Sequence, residues 1–190
     1  MPRKSYSKRT LVILVILLIG SVWAMWKLKN YSQTSEQEIR VDLSLVKEVE
    51  QWVKVTPSPS FLYSYAIMEE GVIQHLDRTY TYDVIPRELK GGYLFQGIHR
   101  PQAGTQLEIE LLRPTTIYFF FHATTDGGYS QIFEELETWQ RLPNAPQYDI
   151  HNGDHGLDMT LYKLEGTPGI HTIPATTEDR ACFSIVFKAK

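Results

Sequence analysis

The sequence predicts a mainly β protein: an antiparallel, jelly-roll-like β-sandwich with one short helix, preceded by an N-terminal transmembrane helix. Three observations predict it. An uncharged run opens the chain behind a basic arm. From Phe61 onward, short runs rich in aromatic and β-branched residues alternate with turn residues. One of those runs, "TQLEIELL", alternates apolar and polar side chains, as a strand with one dry and one wet face must.

The first element is the membrane span. Arg3, Lys4, Lys8 and Arg9 precede an uncharged stretch of 17 residues from Thr10 to Trp26. At about 1.5 Å per residue this lies near the lower limit for a hydrocarbon core of about 30 Å. Trp23 and Trp26 fit an interfacial aromatic belt, and Lys27 and Lys29 mark the exit. The heavier positive charge before the span places the arm in the cytoplasm and the bulk of the chain outside, a single-pass type II arrangement. A signal peptide cut after Ala24 is the alternative, since Val22 and Ala24 satisfy the small-residue rule. Length, the flanking lysines and bulky Trp23 favour the anchor.

Charge divides at the same point. Six of the 19 basic residues fall in residues 1–29, leaving 13 against 22 acidic ones and a net charge near −9 beyond. So acidic a surface argues against a phosphate-backbone partner, and nucleic acid is excluded. The one cysteine, Cys182, rules out an intrachain disulfide and reads as a buried thiol within "ACFSIVF". A chain of this size can bury a core without disulfide staples.

Residues 30–56 are a polar tether and a short helix. "SEQE" has the form of a capping box at Ser35 and Glu38. Leu45, Val49, Trp52 and Val53 have helical spacing, which predicts a helix over 44–54 ending at the prolines of "TPSPS". The sandwich then occupies residues 57–190. Its predicted strands lie within residues 61–68, 71–76, 79–85, 91–98, 105–112, 116–123, 157–164, 169–174 and 182–189. "IYFFF" does not alternate, so both of its faces should be covered: one by the opposing sheet, the other by a helix in "YSQIFEELETWQRL" that carries Ile132, Phe133, Leu136 and Trp139. In "DGG", Gly127 and Gly128 supply positive φ for the turn before that helix.

"DRTYTYDVIPRELKGG", "LEIELLRPTTIYFFF", a tryptophan after a helix-like segment and "LYKLEGTPGIHTIPA" occur in that order over residues 77–187. This set resembles an accessory β-sandwich domain of bacterial secreted carbohydrate-active enzymes: glycoside hydrolases, polysaccharide lyases and sulfatases. Tyr80, Tyr82, Pro86, Gly91, Tyr118, Trp139, Tyr162 and Gly169 carry the resemblance. It implies a domain that is not itself catalytic, with the tryptophan in aromatic surroundings. An anchor of its own and the expected lack of an attached enzyme would set this chain apart from that pattern.

Candidate chemistry is sparse. His151, Asp154, His155 and Asp158 crowd into "HNGDHGLD", but Asn152, Gly153 and Gly156 oppose the helix on which a His-x₃-His pair shares a face. These four are the weak metal candidates; no metal or cofactor is expected. His122 and Asp126 could pair to tune a base, yet no nucleophile motif accompanies them. Glu134, Glu135 and Glu137 read as the wet face of the helix. Tyr93, Tyr129 and Tyr148, beside glycines or prolines, and Trp139 are the candidate binding aromatics, since flat semi-polar rings suit saccharide or protein partners.

The function expected is therefore a non-catalytic extracytoplasmic module, membrane-anchored, holding a protein of the same membrane or a cell-envelope glycan. The alternatives are a small envelope hydrolase or metal-dependent enzyme using His122, Asp126, His151, Asp154 and His155, and a structural subunit whose span packs through Gly20 and Ser21.

Overall fold

The computed structural model describes residues 41–123, 127–149, 159–175 and 182–190. The basic arm, the apolar run and the Ser35 capping box lie outside these. Among the described residues no helix is long and apolar enough to cross a membrane. All described elements belong to one compact unit, Ile39–Lys190.

Helix α1 spans Leu43–Val49. Its cap is Asp42, whose Oδ1 accepts from the backbone N–H of Ser44 at 2.9 Å and of Leu45 at 3.1 Å. The helix predicted to reach residue 54 stops at Val49, and strand β1 runs over Val53–Ser58. Alternation decides this switch: Val53, Val55 and Pro57 are buried, while Lys54, Thr56 and Ser58 are exposed. Pro57 stands opposite Leu107 on an edge strand, where its missing N–H is tolerated. Pro57 thus belongs to the end of a paired strand, and Pro59 follows it.

The remaining strands are β2 (Ser64–Ile67), β3 (Thr81–Val84), β4 (Tyr93–Gln96), β5 (Gln106–Leu111), β6 (Thr115–His122), β7 (Gln140–Leu142), β8 (Gln147–Asp149), β9 (Met159–Gly166), β10 (Gly169–Ile173) and β11 (Phe183–Ala189). They form a three-stranded sheet β1-β5-β10, a six-stranded sheet β2-β4-β11-β6-β9-β7 and a ribbon β3-β8. Every pairing is antiparallel. Residues 71–76, predicted as a strand, contribute only a bridge between Ile73 and Thr81. β5 has the predicted two faces: Leu107, Ile109 and Leu111 are buried, and Gln106 and Glu108 are exposed.

Strand β6 lies inside the six-stranded sheet, and all eight of its residues are buried. Ile117, Phe119 and Phe121 join a core with Val53, Val55, Leu107 and Ile109 of the smaller sheet. Tyr118 and Phe120 point the other way, into a second core with Met68, Tyr82, Ile85 and Leu89. Both faces are covered, as the run without alternation predicts. The coverings differ from the expectation in one respect. Helix α2, Tyr129–Glu135, lies on the same face as the smaller sheet, with Phe133 stacked on Phe119 at 4.8 Å between ring centroids. The opposite face is covered by the β3-β8 ribbon and the segment after β3, where the Tyr82 hydroxyl donates to Ser184 Oγ at 2.7 Å.

Helix α2 is also shorter than predicted. It ends at Glu135, and the chain returns to the sheet as β7, which pairs with β9. Gly127 and Gly128 take φ of 62° and 90°, the left-handed turn that "DGG" predicts. Glu134, Glu135 and Glu137 are exposed, as read.

Candidate functional site

The candidate binding aromatics part company in the structure. Tyr129 is 1% exposed and packs against Phe119, so it is a core residue and not a surface ring. Trp139 is 9% exposed and meets Phe133 edge-on at 4.9 Å. Tyr93 is half-buried; its hydroxyl donates to Glu48 Oε1 at 2.6 Å and its ring meets Trp52 at 5.4 Å, which ties β4 to α1. That hydrogen bond to a carboxylate is also the main reason the Tyr93 phenol holds its proton above the ordinary range. Tyr148 is backbone-paired with Tyr82 in the ribbon. His151, Asp154, His155, Asp158 and Asp126 lie outside the described residues.

With both faces of the large sheet covered, ligand space on that sheet is confined, among the described residues, to its rims and edges. The larger groove, about 630 Å³, runs between residues 84–88 and 143–147. Arg87, Glu88, Asn144 and Gln147 offer it donors and acceptors, and Pro86, Pro146 and Met159 are among its apolar walls. Gln147 is the neighbour of Tyr148 in β8. A second groove of about 400 Å³ is bordered by Trp139, Glu165, Ile170 and His171. Its Ile170 is 65% exposed.

One constellation lies elsewhere and was not foreseen. His122 ends β6, and Cys182 immediately precedes β11. The two strands pair Phe121 with Phe183, so His122 and Cys182 stand one step further along both. The loop after β4 adds His99, held by its backbone N–H donating to Asp77 Oδ1 at 2.7 Å. One ligand-type atom each from His99, His122 and Cys182 all lie within 4.8 Å of one another. His75 joins them: its Nε2 is 3.3 Å from Cys182 Sγ, and its ring is 5.3 Å from that of His99. All four residues are buried.

Burial sets their chemistry. It holds His75 well below the ordinary histidine range, with His99 next in effect. Burial lowers His99 and His122 to about 4 each, the guanidinium of Arg100 adding to both. The Cys182 thiol is pushed up to about 12 by burial. At neutral pH the group is thus three neutral imidazoles and a thiol. His99 Nδ1 is buried with no hydrogen-bond partner among the described residues. Sequence reading singled out His122 and Cys182 separately and passed over His75 and His99. The available signal was a histidine inside each of two apolar runs, "VIQHL" and "FQGIH".

No family model matches the chain, and neither does any curated protein. Among solved structures the chain is similar to a β-glucuronidase from glycoside hydrolase family 2, with a TM-score of 0.51 and 16% identity. The likeness covers 70% of this chain and 14% of the enzyme. At that identity it is a likeness of fold: a carbohydrate-active enzyme contains a β region built like this one.

Proposed function

We propose that this chain is a non-catalytic β-sandwich module, tethered to a membrane by its N-terminal segment, that binds a glycan outside the cytoplasm through the groove between residues 84–88 and 143–147. The groove carries the reading. Planar guanidinium and amide groups from Arg87, Asn144 and Gln147 flank apolar walls, the combination that a sugar's hydroxyls and its C–H faces require. The shared fold with part of a β-glucuronidase supports a carbohydrate setting. The non-catalytic role is supported by the state of the lone cysteine. Cys182 is 2% exposed and its thiol is held up at about 12, the opposite of an activated cysteine. The extracytoplasmic placement rests on the charge asymmetry around the run from Thr10 to Trp26.

The test uses the full chain in lipid nanodiscs against a panel of oligosaccharides, with calorimetry on any hit. Arg87→Ala and Gln147→Ala should each weaken a hit about tenfold, the effect of one lost charge-assisted or well-placed hydrogen bond. Absence of binding across the panel, or binding indifferent to both substitutions, refutes the assignment. Turnover of the bound oligosaccharide would put the hydrolase reading first. Mass spectrometry of the mature N-terminus separates an anchored chain from one cut after Ala24.

A further inference from the structure

We propose that His99, His122 and Cys182 bind a zinc ion, and that His75 positions the cysteine sulfur for it. The juxtaposition is not local. The loop after β4, the end of β6 and the residue before β11 meet at one point, and each brings one soft or borderline donor. Two imidazole nitrogens and a thiolate are a donor set for zinc and late transition ions, and not for calcium or magnesium, which take oxygen.

Two further observations separate this cluster from an ordinary buried polar network. The first is His99 Nδ1. It is buried and unpartnered among the described residues, on a side chain 7% exposed and packed against the ring of His75. A buried imidazole nitrogen without a partner carries the full cost of desolvation, which a metal bond would remove. The second is pre-organisation of the surroundings. Asp77 holds the His99 backbone at 2.7 Å, and Tyr80 packs edge-on against the His99 ring at 5.4 Å. His75 Nε2 sits 3.3 Å from the sulfur, the place of the outer group that orients a ligand and tunes its basicity.

A neutral imidazole releases no proton on binding. The thiol must deprotonate, so uptake of one Zn²⁺ forms a Zn–S bond and releases one proton to solvent, with no change of oxidation state. An ion held by these three buried residues would clamp β6 and β11 to the loop after β4 at one end of the larger sheet.

The experiment is metal analysis of the full chain, purified in detergent without chelator or added metal, followed by stripping and titration. Zinc at one equivalent per chain is expected, falling to background in Cys182→Ser and His122→Gln. His75→Gln should retain the ion with affinity lowered about tenfold to a hundredfold, as for an outer group. Cobalt added to stripped protein should give a thiolate-to-cobalt charge-transfer band that Cys182→Ser abolishes. Because a substitution at so buried a site can unfold the chain, the wild-type protein supplies an independent readout: its melting temperature should climb with zinc concentration as a ligand of the folded state requires. Folded wild-type protein that takes up neither zinc nor cobalt overturns the proposal. So does uptake undiminished in folded Cys182→Ser and His122→Gln, and so does one equivalent of copper in place of zinc.

Discussion

Consider the pair Phe119→Ala and Phe120→Ala in a fragment of residues 39–190. These neighbours on β6 point to opposite faces of the larger sheet, and both are fully buried. Phe119 meets five rings, those of Phe121, Tyr129, Phe133, Trp139 and Phe183, at 4.8–6.4 Å. Phe120 meets Tyr82 at 5.7 Å within the second core. Removing a buried phenyl ring forfeits transfer energy and leaves a cavity, together about 3–5 kcal/mol. Against a net stability of about 5–15 kcal/mol this is a large fraction for either one. Phe119 should fall at the upper end, because aromatic pairs add about 0.5–1.5 kcal/mol beyond area. Urea denaturation followed by circular dichroism, with unchanged slope, measures both. The decisive result is Phe120→Ala. A loss below about 0.5 kcal/mol, the size of a surface substitution, would mean that the ribbon side is open to solvent. The restriction of ligands to rims and edges would then fail.

Three further outcomes follow from the same geometry. Trp139→Ala should cost about 3–5 kcal/mol through its contacts with Phe133 and Phe119; a variant of native stability that had lost only glycan binding would restore the tryptophan as a binding platform. Tyr65→Phe should be neutral or stabilising by about 1 kcal/mol, because the Tyr65 hydroxyl is buried with no hydrogen-bond partner among the described residues; clear destabilisation in the same denaturation assay would contradict that. Alkali should unfold the domain. Burial raises Tyr63 from 10.0 to about 12, helped by its hydrogen bond to Glu50, and burial raises Tyr65, Tyr82 and Tyr129 further. The folded state therefore keeps protons that the unfolded chain releases near pH 10, so stability declines as pH rises from about 10 through about 12. Tyrosinate absorbance should climb together with loss of circular dichroism; complete ionisation with the fold intact would refute it.

Much of the strand pattern was legible because local chemistry and tertiary demand agree there. "TQLEIELL" alternates since one face of β5 meets the core and the other water, and "IYFFF" does not because two cores meet on β6. Where the two demands compete, local reading fails. Leu45, Val49, Trp52 and Val53 satisfy helical spacing, yet Val53 and Val55 gain more by pairing with β5 than by extending α1. Tyr129, placed beside a glycine, reads as a loop ring, but the short helix it opens turns it against Phe119 and Phe121.

By itself, the sequence determined a β-rich unit of short antiparallel strands, the charge step after residue 29 and the absence of an intrachain disulfide, because these depend on composition and on periods of a few residues. Tertiary structure alone decided which strands became neighbours, which aromatics went inside, and that histidines at 75, 99 and 122 would gather around Cys182. Residues more than a hundred positions apart meet there. The physical reason is range: periodicity reports how one segment meets solvent, whereas a cluster of donors arises only when backbone pairing closes long loops and brings distant strand ends to one point.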